Sequence, residues 1–246
     1  MKLSIFTVLV AASCSLLGCS SSPLDPVSDS AIDPGAAPGS AGGARAGGGS
    51  SATAGASAAA TTPSTWTAYP AGPYGTTRGA TIQNLSFSGW KHPDVAGYDP
   101  AKFETVRLSD FYDPDGHTGI KLLAINASAV WCSVCRSEYQ DMHANDVYGT
   151  LHPQGLEILG TLFEDNAYFP AQPQDLKNWG ALSTHAVKFP LGLDPGFKLG
   201  AYFDSDATPL NMLIDVRTMT IVQISMGISN PPSAYWTSVQ AMLAKL

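Results

Sequence analysis

The stretch SAVWCSVC, residues 128–135, sets two cysteines three positions apart, directly after a tryptophan and at the end of an apolar run. Two sulfurs at that spacing can cycle between dithiol and disulfide, supply half of a metal site, or form a static bond. A static Cys132–Cys135 bond would close a tiny loop and so constrain the unfolded chain very little. A structural zinc site needs a second cysteine pair or histidines at ligand spacing. No second C-x-x-C occurs, and no two of His92, His117, His143, His152 and His185 lie three to five residues apart. No metal is therefore expected, and the choice narrows to a redox couple or a staple.

The flanking elements favour the couple. KLLAINASAVW (121–131) is an almost unbroken apolar run and reads as a strand buried on both faces. CRSEYQDMHAND follows with good helix formers, which puts Cys132 at a helix N-terminus. Unpaired N–H groups and the helix dipole there favour a negative sulfur, so the Cys132 pKa should fall below the free value of about 8.5. Cys135, one turn on, faces the same side and can resolve a mixed disulfide. Trp131 reads as a half-buried aromatic beside the sulfurs, a shield and a substrate contact. Arg136 is expected to point to solvent, and His143, two turns further along, to lie on the surface.

Further strands are read over GLEILGTLFED (155–165), LNMLIDV (210–216) and TIVQISMG (220–227), the last two as a hairpin. Helices are read over PQDLKNWGALSTHA (173–186) and over PPSAYWTSVQAMLAKL (231–246). In the latter, Tyr235, Val239, Met242, Leu243 and Leu246 can share a face, with Lys245 near the negative end. TIQNLSFSGW and VRLSDF, before the core, read as short strand and turn segments. Strand alternating with helix argues for a parallel α/β core.

The ends set the compartment. Lys2 followed by apolar Leu3–Leu17 is too short for a comfortable membrane span and reads as a signal peptide, residues 1–18. It ends in LLGC, similar to a bacterial lipobox, which implies a lipidated Cys19; Ser20 in place of Asp implies the outer membrane if the host is Gram-negative. Residues 19–65 are dominated by Ala, Gly, Ser, Thr and Pro, carry no aromatic residue, and read as a disordered tether with a reach on the order of 35–40 Å. Residues 66–246 hold every tryptophan and tyrosine and suffice for one domain with a full core. The net charge of −7, with no basic run, speaks against nucleic acid as a partner. Cys14 leaves with the signal and Cys19 is acylated, so Cys132 and Cys135 would be the free pair.

Element order and motifs together resemble the thioredoxin fold, and within it the redoxin branch of membrane-tethered TlpA/ResA-type thiol-disulfide oxidoreductases. VRLSDF (106–111), WCSVCRSE (131–138), ATPLNMLID (207–215) and Gly227 carry the resemblance, which spans residues 79–246. It implies a central mixed sheet flanked by helices, with an N-terminal redoxin-type extension. It also implies Cys132 as nucleophile, Cys135 as resolving cysteine, a cis Thr208–Pro209 bond whose loop faces them and shapes a substrate groove, and a Glu138 that tunes the thiols. The bland alternative for Glu138 is a solvated helix carboxylate. Thioredoxins proper carry a buried Asp six residues before the first Cys; here that residue is Asn126, which cannot take up a proton, so Glu138 or water would have to.

The expected function is an extracytoplasmic oxidoreductase reducing protein disulfides, with no cofactor beyond its own disulfide and with an electron donor from across the membrane. Two other functions share the fold. A Sco-type copper carrier needs C-x-x-x-C, one residue longer than the spacing here. A thiol peroxidase of the peroxiredoxin class needs P-x-x-x-[TS]-x-x-C, which neither cysteine satisfies, leaving at most weak peroxide chemistry.

Overall fold

The computed structural model describes residues 68–183, 185–203 and 207–246. The stretches read as a signal peptide and a tether, Cys19 among them, lie outside the described residues. In chain order the elements are β1 (Ser86–Trp90), α1 (Pro93–Ala96), β2 (Glu104–Arg107), β3 (Leu122–Ser128), α2 (Ser133–Ala144), α3 (Val147–Leu151), β4 (Leu156–Leu162), α4 (Pro173–Gly180), β5 (Leu191–Leu193), β6 (Leu210–Asp215), β7 (Thr220–Met226) and α5 (Ser233–Leu243). No described helix is long and apolar enough to cross a membrane.

The seven strands form one mixed sheet in the order β2-β1-β5-β4-β3-β6-β7. β3, β4 and β5 run parallel, joined through helices, because a parallel return needs a long crossover. β6 and β7 are antiparallel and complete one side. β1 and β2, the N-terminal extension, complete the other: β1 pairs antiparallel with β5, and β2 with β1 at the edge.

β3 sits between β4 and β6, and all seven of its residues are buried, as its unbroken apolar run requires. That central strand, held by neighbours on both edges, delivers the chain to Cys132. β5 went unread because it is only three residues long and follows directly on Pro190. α4 stops at Gly180, six residues before the expected Ala186. Leu182 N–H turns back to the Trp179 carbonyl at 3.0 Å, and Ser183 and His185 bond to each other. Small and hydroxyl residues favour such local bonds over continued helix. A Cβ on Gly180 would lie 2.8 Å from the Tyr98 ring, so the helix end needs glycine to pack there. In α5, Tyr235, Val239 and Leu243 are buried as expected, together with Trp236; Leu246 lies beyond the helix and is exposed.

Candidate active site

β3 ends at Ser128, and four residues later Cys132 caps α2. Its backbone is extended (φ −76°, ψ 101°), and its Sγ accepts the Cys135 backbone N–H at 3.0 Å, the contact a serine or aspartate oxygen makes at an ordinary N-cap. Cys132 and Cys135 are joined by a disulfide, with Cα atoms 5.3 Å apart. Both cysteines are buried, Cys132 at 5 % exposure and Cys135 at 1 %, so Cys132 is the more accessible of the two.

The β6 end supplies the facing wall. The Thr208–Pro209 bond is cis, and the Thr208 hydroxyl donates to Cys132 Sγ at 3.4 Å. Gly227, at the end of β7, donates its N–H to both the Ala207 and Pro209 carbonyls at 2.8 Å. Its φ of +72° lies in the left-handed region that favours glycine. The loop that brings Thr208 to the sulfur is thereby fastened to the neighbouring strand.

Glu138 lies one turn past Cys135 and is only 4 % exposed, which rules out the solvated-carboxylate alternative. Asn211 Nδ2 donates to its Oε1 at 2.7 Å, and Asn126 Nδ2 to its Oε2 at 2.9 Å. Asn126 Nδ2 also donates to Asn211 Oδ1 at 3.0 Å, and its Oδ1 accepts from Ser128 Oγ at 3.0 Å. Both donor hydrogens and the carbonyl of Asn126 are thus engaged. Burial pushes the Glu138 carboxyl up to about 7, prevailing over the two amide donors that pull it down. A buried carboxyl poised near neutral pH thus lies on the helix that carries the cysteines. The buried Tyr235 hydroxyl, which has no hydrogen-bond partner among the described residues, has its pKa raised by burial and by the Glu138 charge.

Two neighbours differ from expectation. Arg136 does not point to solvent: its Nη2 donates to the Val130 carbonyl at 2.8 Å, bracing the turn between β3 and α2. His143 is buried, stacked on Phe189 at 5.6 Å, and desolvation lowers its pKa to about 4. Trp131 is half-buried; its Nε1 donates to Glu164 Oε2 at 2.7 Å, and its ring stacks on Tyr168 at 5.1 Å.

Sequence reasoning missed Asn211 as a partner of Glu138 and Ser128 as a partner of Asn126, and the contacts of Trp131 with Glu164 and Tyr168. The first had a signal: an asparagine inside the apolar run LNMLID must find a buried partner. The second had none, since residues 131 and 168 are brought together only by the fold. Among the described residues, no group of three or more His, Cys, Asp or Glu side chains is gathered to hold a metal ion.

No family model matches the sequence, and no curated protein matches it. Solved structures do. A protein of Chlorobium tepidum assigned as a thiol:disulfide interchange protein DsbE superposes with a TM-score of 0.50 at 18 % identity, over 69 % of this chain and 99 % of that one. A protein of Bacteroides thetaiotaomicron assigned as a protein disulfide isomerase superposes with a TM-score of 0.50 at 20 % identity, over 70 % and 92 %. The chain has a thioredoxin-like fold. In thioredoxin-like terms, the resemblance read from WCSVCRSE and ATPLNMLID holds at the level of architecture, β1 and β2 forming the extension and α2 carrying both cysteines.

Proposed function

We propose that this protein is a thiol-disulfide oxidoreductase acting outside the cytoplasm, tethered to a bacterial membrane through lipidated Cys19, and reducing disulfides of other proteins. The observation that carries the reading is a disulfide whose less buried sulfur caps a helix N-terminus and accepts a hydroxyl hydrogen from Thr208. The capping N–H and the Thr208 hydroxyl both favour negative charge on Cys132 Sγ.

In the reduced protein, Cys132 thiolate attacks one sulfur of the substrate disulfide. A Cys132–substrate bond forms, and the other substrate sulfur leaves as a thiolate and takes a proton from water. Cys135 then loses its proton and attacks Cys132 Sγ, which releases the second substrate thiolate and leaves the Cys132–Cys135 disulfide. Two electrons have passed to the substrate. Glu138, close to half-ionised near pH 7, is suited to accept the Cys135 proton, the role an amide at position 126 cannot fill. A membrane electron donor returns the pair to the dithiol.

The test is the reduction potential of the Cys132/Cys135 couple, measured against dithiothreitol and glutathione buffers. A value near or below that of thioredoxin, about −270 mV, supports a reductant. A value near −120 mV, the range of strong oxidants, reverses the direction of electron flow. Failure to cycle in either buffer sinks the redox reading.

A further inference from the structure

Beside the disulfide stands a short loop with an unusual surface. Tyr168 and Phe169, adjacent in sequence, are 67 % and 66 % exposed. The loop that holds them is tightly built. Asp165 Oδ1 accepts the Ala167 and Phe169 backbone N–H groups at 2.7 and 2.9 Å, and the Asp165 N–H bonds to the Phe169 carbonyl at 2.8 Å. Glu164 bridges to Pro170, and its carbonyl accepts the Val130 N–H at 2.9 Å, which ties the loop to the turn before Cys132. Tyr168 has φ +64°, a left-handed conformation that a tyrosine adopts only when its surroundings impose it. That conformation goes with a ring lying on Trp131, the residue next to the nucleophile.

Two of the other exposed apolar residues, Val134 and Met226, belong to the segments next to the disulfide. Seven large hydrophobic side chains are exposed among the described residues. Four of them lie on the segments that adjoin the disulfide: Tyr168, whose ring stacks on Trp131, its neighbour Phe169, Val134 between the two cysteines, and Met226, which pairs with Leu210 directly after Pro209. Scattered apolar side chains on a surface need no explanation, but a group centred on a reactive sulfur does. The occupant is set by the sulfur at its centre: what reaches Cys132 must bring a disulfide. The charged groups of the loop, Glu164 and Asp165, are both acidic, which disfavours an acidic visitor.

We propose that Tyr168 and Phe169, with Trp131, form a preordered aromatic shelf that selects protein disulfides whose cysteine is flanked by an aromatic or long aliphatic side chain and not by an acidic one. This deepens the oxidoreductase reading and rests on it. The shelf is ordered before the substrate arrives, so docking a ring against it costs little conformational entropy. It acts on the first step, in which a Cys132–substrate S–S bond forms and the other substrate sulfur leaves with the electron pair of the broken bond.

The test uses pre-reduced protein and short peptides whose single cysteine is in a mixed disulfide with thionitrobenzoate, so that thiolate release is read by absorbance in one turnover and no donor is needed. With Phe before the cysteine the second-order rate is expected to exceed that with Ser by about tenfold, and that with Glu by more. In a Tyr168→Ser/Phe169→Ser double variant the Phe-to-Ser ratio should fall to within about twofold, while Val95→Ser, remote and exposed, should retain the preference. Far-UV circular dichroism and the reduction potential of the double variant check that the fold and the couple are intact. A wild-type ratio near one, or a ratio retained in the double variant, overturns the shelf and leaves the redox reading standing. A dimer in sedimentation that the double variant dissolves would assign the patch to a second copy and overturn it as well. No thiolate release from any peptide would remove the oxidoreductase reading itself.

Discussion

Asn126 and Asn211 stand directly opposite each other in the antiparallel β3–β6 pair, and both side-chain amides donate to the one carboxylate of Glu138. Two strands and the helix that carries the cysteines are pinned through one buried group. Desolvation outweighs the two donors, so the folded carboxyl titrates near 7 against an ordinary value of 4.5. The folded state thus holds a proton that the unfolded chain has already lost between those values. Glu138 contributes stability that is full below about pH 4.5 and is lost as pH rises through 7, roughly 3 kcal/mol in all. Glu138→Gln should remove that slope, making the variant gain on the wild type as pH rises from 5 to 8 in denaturant titrations. Parallel stability curves for the two proteins would contradict it.

The asparagines are expected to matter most when Glu138 is charged. Asn211→Leu leaves Oε1 of the carboxylate without a donor and deprives Asn126 of an acceptor. A buried ionised group that loses a partner costs about 2–4 kcal/mol, and a protonated one considerably less. The variant should therefore lose more stability at pH 8 than at pH 5. Equal losses at both pH values would mean that the effect is packing alone.

His143 works in the opposite direction. Its desolvated ring titrates near 4 against an ordinary 6.5, so below pH 6.5 the unfolded chain takes up a proton that the folded one refuses. This contribution is present above pH 6.5 and lost as pH falls through 4. Between 4.5 and 6.5 it offsets the Glu138 slope, which is why the two must be separated by mutation. The groups that act on His143 electrostatically are His185 and Asp146, the former lowering its pKa and the latter raising it. His143→Phe keeps the stack on Phe189 and removes a buried Nε2 that has no partner among the described residues. It should leave stability at pH 7 within about 1 kcal/mol of the wild type and raise it at pH 4.5. A variant as acid-sensitive as the wild type would exclude His143 as the cause.

The same two side chains mark how far the sequence could be read. Period and run length placed β3, β4, β6, β7 and α2, and the unbroken apolar run of β3 fits the centre of the sheet, where it lies between β4 and β6. WCSVC placed the cysteines at a helix start for the same local reason. Glu138 could not be decided between tuner and surface group, because a polar helix face looks the same whether water or two asparagines meet it. His143 was misread for that reason: its ring is covered by Phe189, which lies forty-six residues away in the chain. The loop carrying Tyr168 holds no periodicity at all. It is fixed by Asp165 bonds to its own backbone, and no composition rule would have placed it against Trp131.

Thr208 offers a measure of how much one neutral donor does for the nucleophile. Its hydroxyl reaches Cys132 Sγ at 3.4 Å, and Thr208→Val keeps the branched shape without the hydrogen. A bond worth about 1 kcal/mol to the charged sulfur corresponds to a Cys132 pKa raised by about 0.7 in the reduced variant. Ultraviolet thiolate absorbance against pH reads this directly. An unchanged titration would show that the contact belongs to the disulfide form alone.

The difference in exposure between the two sulfurs makes the last prediction asymmetric. Cys132 is 5 % exposed and Cys135 1 %, so a substrate sulfur meets the first more readily. Cys135→Ser should therefore still attack a disulfide and then stop, accumulating a mixed disulfide that mass spectrometry detects as a stable adduct on Cys132. Cys132→Ser should neither form adducts nor turn over, because its remaining thiol, Cys135, is more deeply buried and lies inside the first turn rather than at the helix cap. Adducts on Cys135 in Cys132→Ser, formed at a rate comparable to those on Cys132, would mean that the helix end opens in solution and that the roles of the two cysteines are not set by burial.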